Sequence, residues 1–83
     1  MEYVTAAKIL RPYVLALTFT DGTRREVDVE VELYGEVFEP LRDPTYFARG
    51  ELDAVIGTVV WPNGADFSPE FLYECAALSE TRS

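Results

Sequence analysis

Four carboxylates, Glu26, Asp28, Glu30 and Glu32, recur at every second position of the chain. Oxygen-rich clusters of this kind are what a hard divalent cation needs. On one strand, however, residues two apart lie about 7 Å from each other, too far to converge on a single ion. The pattern is therefore expected to form a solvated acidic face of a sheet rather than a metal site. A second set, Asp53, Asp66 and Glu70, would suit the alternative of a small metal-dependent hydrolase or nuclease. Such an enzyme works through metal-activated water and needs no histidine. The chain has none, and its one cysteine excludes a cysteine-rich zinc site. Cys75 has no imidazole to activate it and reads as a small buried hydrophobe. Ser68 lacks both a base and the Gly-x-Ser-x-Gly elbow, and the glycines stand singly or at turns, so no phosphate loop is present. No catalytic residue, metal ligand or cofactor is expected, and the chain is not expected to be an enzyme.

The densest punctuation runs from Gly57 to Pro69 and includes the sole tryptophan. Thr58-Val59-Val60-Trp61 is β-branched and aromatic, a strand that Pro62 must end because proline brings no N–H to a ladder. Asn63-Gly64 is a strong turn dipeptide. A helix then starts with Ser68 or Asp66 as its cap, Pro69 in the first turn and Glu70 at the positive end. It is expected over Pro69–Leu78, with Phe71, Leu72, Cys75, Ala76 and Leu78 on its apolar stripe. Trp61, Asn63, Gly64 and Asp66 are the candidate surface site here. The competing structural explanation is a strand-turn-helix corner whose indole covers the core.

The elements that must position this corner lie upstream. Tyr3–Leu10 reads as a strand with its buried face left open by weak alternation. Tyr13–Thr20 alternates, with Tyr13, Leu15, Leu17 and Phe19 on one face. Glu26–Glu32 alternates strictly, sending Val27, Val29, Val31 and Leu33 inward. Parity selects a three-residue Thr20-Asp21-Gly22 turn that pairs Leu15 with Val27 and Tyr13 with Val29, since a two-residue loop would put opposite polarities on one face. Arg24 then lies beside Thr18, and Arg25 falls on the inward side. Glu36–Leu41 carries Val37, Phe38 and Leu41 at helical spacing until Pro40 interrupts. Asp43-Pro44 caps a second short helix through Arg49, ended by Gly50. Glu51–Ile56 returns to strand. The expectation is one α+β domain over residues 1–83, with 79–83 a frayed tail. Its two layers are a mainly antiparallel sheet of about five strands, in chain order βββ-α-ββ-α, and helices on one face.

With 15 acidic and 7 basic residues, the net charge is −8. A field of that sign repels phosphate backbones, so direct nucleic-acid binding is not expected and a basic protein partner is, while a sheet face left bare would suit a homodimer. No leader and no run of about 18 apolar residues is present, which predicts a soluble, cytoplasmic protein without membrane contact.

Tyr13-Val-Leu-Ala-Leu-Thr-Phe-Thr-Asp-Gly22, Gly35-Glu-Val-Phe-Glu-Pro-Leu-Arg-Asp43, Phe47, and Gly57-Thr-Val-Val-Trp-Pro-Asn-Gly-Ala-Asp66 with Ser68-Pro69 and Leu72-Tyr73 together resemble a bacterial family of small domains, domain-of-unknown-function family 2442. The resemblance implies a compact α+β domain without assigned chemistry. It also implies relatives fused to a helix-turn-helix or encoded beside a second small protein, as in toxin–antitoxin pairs. These 83 residues leave no room for a helix-turn-helix. The expected role is thus an acidic protein-interaction domain, antitoxin-like within a two-protein system.

Overall fold

The computed structural model describes residues 2–81, with side chains described for residues 2–76. Strands β1 (Val4–Arg11), β2 (Val14–Phe19) and β3 (Arg24–Asp28) form an antiparallel sheet in the order β1-β2-β3. Two 3-10 turns, Glu30–Glu32 and Glu39–Arg42, lead into the short helix α1 (Pro44–Phe47). A second antiparallel pair, β4 (Glu51–Asp53) and β5 (Thr58–Val60), precedes helix α2 (Pro69–Thr81).

The hairpin between β2 and β3 has the register that parity requires. Leu15 lies opposite Val27 and Thr18 opposite Arg24, while Val29 N donates to Tyr13 O at 2.9 Å. Gly22 supplies the left-handed position of the turn at φ 87°, where any other L-residue would be strained. Asp21 Oδ1 accepts from Thr23 N at 2.9 Å and closes the loop.

One sheet of five strands is not observed. The five strands divide into sets of three and two, which meet where Val4 N donates to Gly57 O at 2.8 Å. Strand β3 is also shorter than alternation predicts. Asp28 Oδ1 accepts from Glu30 N at 2.9 Å, and this side-chain turn diverts the chain into a 3-10 turn at Glu30. Val29 and Leu33, four apart, still reach the core, but Val31 points into solvent at 81% exposure. Val37 likewise lies out at 52% exposure, because helical winding begins only at Glu39. β4 ends at Asp53, whose carboxylate accepts from Val55 N and turns the chain before Ile56.

Both helices pack on the same face of the three-stranded sheet. The core joins Leu15, Leu17, Phe19 and Val27 of the sheet to Leu41, Phe47, Trp61, Phe67, Leu72 and Ala76. A run of ring contacts crosses it: Tyr13 meets Phe47 at 5.2 Å, Phe47 meets Trp61 at 5.4 Å, and Trp61 meets Phe67 at 6.0 Å between centroids. Each such side chain contributes about 1.5–3 kcal/mol through burial. Asp43 caps α1 by accepting from Thr45 N. Of the two candidate caps for α2, Ser68 fills the role, its Oγ accepting from Phe71 N at 3.1 Å. α2 continues to Thr81, beyond Leu78. The Leu78 side chain, the side chains of the expected tail and the backbone of residues 82–83 lie outside the described residues.

Candidate functional site

Trp61 is 1% exposed, and it borders an open pocket shared with Arg49, Leu52, Asp53 and Pro62. Its indole Nε1 donates to Phe47 O, and the ring lies on Gly50, where a Cβ would come within 2.7 Å of Cε2. Asn63 works on both sides of its turn. Its Nδ2 donates to Val37 O at 2.9 Å, and its Oδ1 accepts from Ala65 N at 3.0 Å. Gly64 takes φ 87°. Trp61, Asn63 and Gly64 therefore each have a bond or conformation that builds the corner. Asp66 is exposed beside Val60, with which it forms an isolated bridge.

The four candidate acidic residues are not brought into one row. Glu26 and Asp28 project from β3, whereas Glu30 and Glu32 lie on the 3-10 turn after it. Glu26 makes an exposed ion pair with Arg11 at 3.8 Å. Asp53 faces Thr58 on one flank of β5, and Asp66 lies on the other flank opposite Val60. Two strand spacings separate such positions by about 10 Å, so these two carboxylates do not make a pair. Among the described residues, no three His, Cys, Asp or Glu side chains gather where they could hold a metal ion. Cys75 is half-buried rather than enclosed. Burial, with Glu32 and Glu74 nearby, pushes its thiol above the ordinary range and away from the reactive thiolate.

The other face of the three-stranded sheet carries Glu26 and Asp28, as the acidic pattern led us to expect, and with them Lys8 and Arg11, which the sequence reading did not place there. Register sets three rows across it: Arg11–Val14–Asp28, Lys8–Ala16–Glu26 and Ala6–Thr18–Arg24. The middle strand contributes short side chains, so the face forms a trough between the outer strands, lined by Lys8, Ala16, Thr18, Arg24 and Glu26. Lys8 and Arg24 are exposed, and neither enters an ion pair among the described residues. Arg25 lies opposite Leu17 on the core side and turns back, Nη1 donating to Arg24 O at 2.6 Å. Parity alone could have placed Lys8 and Arg24 on one face. The weak alternation of β1 and the arithmetic of total charge concealed it.

Residues 4–77 match the family described as "Protein of unknown function (DUF2442)". The chain belongs to this family. No curated protein matches the chain. Among solved structures, the crystal structure of NE0471 from Nitrosomonas europaea, named a "Putative DNA Binding Protein", is similar with a TM-score of 0.84 and 30% sequence identity. The similarity covers 98% of this chain and 52% of that one, so the chain spans about half the length of this relative.

The exclusion of direct nucleic-acid contact is thereby corrected. It rested on net charge, and a protein sharing this fold over nearly all of the chain carries a DNA-binding name. Net charge sums over every face, whereas a ligand meets one. The expected basic protein partner and homodimer gain no support from the comparisons. Among the described residues, no helix is long and apolar enough to cross a membrane.

Proposed function

We propose that this chain is a non-catalytic DNA-contacting domain and that the open face of β1–β3 is its contact surface. The observation that carries the reading is the pairing of two facts. A relative with the same fold over 98% of this chain is named for DNA binding, and the open face gathers Lys8, Arg11 and Arg24 on a chain of net charge −8. Phosphate contacts dominate the affinity of proteins for DNA, and long cationic side chains on the outer strands of an uncovered sheet can supply them.

The narrower antitoxin-like role has only the family resemblance behind it. The hydrolase alternative has less behind it, since Asp53 and Asp66 lie on opposite flanks of β5.

The test is anisotropy of a labelled DNA duplex titrated with the full chain at low salt. Binding that weakens as salt rises, and falls by about tenfold in the Lys8→Glu/Arg24→Glu double variant, is expected. Absence of binding at low salt, with the protein folded by circular dichroism, would remove the reading.

A further inference from the structure

Taking the proposed DNA contact as its premise, we infer that the open face binds the phosphates of double-stranded DNA and reads no bases. Three observations lead there.

The first is the absence of a stacking platform. Single strands are held on sheets by aromatic rings exposed for the bases. Along the three rows of this face the side chains are Arg11, Val14 and Asp28, then Lys8, Ala16 and Glu26, then Ala6, Thr18 and Arg24. None is aromatic. Tyr13 and Phe19 of the same sheet meet Phe47 and Tyr73 on the opposite face.

The second is width. The outer strands of a three-stranded sheet stand about 10 Å apart before side chains are added, and a major groove about 12 Å wide admits a helix or a two-stranded ribbon. This sheet stays outside the groove. Val14, Ala16 and Thr18 on the middle strand are too short to extend to base edges from there, which leaves the long side chains of β1 and β3 to make the contact.

The third is the arrangement of charge. Lys8 and Arg11 stand on β1 and Arg24 at the start of β3, with Glu26 and Asp28 further along that strand. Three cations against two carboxylates give weak attraction. The slope of log affinity against log salt should then be shallow, no steeper than about −3. The acidic end of β3 also makes the approach one-sided, with phosphates held toward β1 and the Arg24 corner.

The experiment compares two duplexes of unrelated sequence, and the single strand of one of them, in the same anisotropy titration. The duplexes should bind within about twofold of each other and the single strand at least about fivefold more weakly. Glu26→Gln, which removes a repelling carboxylate without touching the core, should strengthen both duplexes equally. A single strand that binds as tightly as duplex would overturn the inference while DNA contact stands. So would duplexes that differ by about tenfold, with Glu26→Gln changing that ratio. Failure of every probe to bind would overturn the DNA-contact reading, and this inference with it.

Discussion

The indole Nε1 of Trp61 donates a 2.8 Å hydrogen bond to the backbone carbonyl of Phe47, deep in the core where both side chains are buried. Replacing Trp61 with Phe keeps a ring but leaves that carbonyl without its donor and opens space beside Gly50. A loss of about 3 kcal/mol is expected, from an unsatisfied buried acceptor together with a cavity. Urea denaturation followed by circular dichroism measures it. A loss below about 1 kcal/mol would show that the carbonyl had found another donor.

Gly50→Ala tests the other side of the same contact. Its Cβ would lie 2.7 Å from Trp61 Cε2, so either the ring or the backbone after α1 must move, at a cost of about 1–3 kcal/mol. In a Trp61→Phe background most of this cost should vanish, because the clashing part of the indole is gone. A double-mutant cycle reads that coupling directly.

Val29 and Val31 share a residue type and a place in the alternating pattern, yet they should respond oppositely to charge. Val29 is 0% exposed and Val31 is 81% exposed. Val29→Asp buries an unpaired carboxylate and should unfold the domain at neutral pH. Val31→Asp should change stability by less than about 0.5 kcal/mol. Thermal melts of the two variants check the end of β3 without further structural work.

The hydroxyl of Tyr73 on α2 donates to Asp21 Oδ2 in the hairpin turn at 2.5 Å. That bond, followed by those from Thr23, holds the Asp21 carboxyl below its ordinary value of 3.8, and the same bond raises Tyr73 above 10.0. A lowered carboxyl stabilises the fold above its unfolded value and loses that contribution as pH falls through the folded one. A raised phenol contributes fully below its unfolded value and loses its share as pH climbs past the folded one. The stability difference between wild type and Tyr73→Phe should therefore be level across the intervening range. It should shrink below pH 3.8 and again above pH 10.0. A difference that stays constant at both extremes would contradict the linkage.

Cys75 should react with a disulfide reagent at neutral pH more slowly than a free thiol, since its pKa is raised by burial, Glu32 and Glu74. Glu32→Gln should quicken the reaction modestly and leave the fold intact. Equal rates for protein and model thiol would show that the side chain is more accessible than its half-buried position implies.

Much of the fold was legible because local chemistry and global packing agree. Gly22 demanded its turn, parity chose its register, and Asp43-Pro44 and Ser68-Pro69 marked two helix starts that the structure keeps. Reading failed where one pattern fits two conformations. Val27, Val29, Val31 and Leu33 alternate as a strand would, but Val29 and Leu33 are also one helical turn apart, and Asp28 has a side chain able to take the Glu30 amide. Only tertiary packing decides between them. The candidate site was obscured by a different cause. Total charge is a property of the chain, whereas Lys8, Arg11 and Arg24 become neighbours on one face only after three strands are set in register.

The β4–β5 pair has three residues to a strand, ends in a turn where Val55 is 94% exposed, and meets the main sheet at Val4 N and Gly57 O. Opening confined to the turn would uncover little apolar area, since Val55 and Ile56 are already exposed while Val59 of β5 stays in the core. Amide protons around the β4–β5 turn should therefore exchange with solvent through a low-energy local opening, well ahead of those pairing β1 with β2. Opening at this tip would leave undisturbed the β1–β3 sheet, whose outer face is the proposed contact surface.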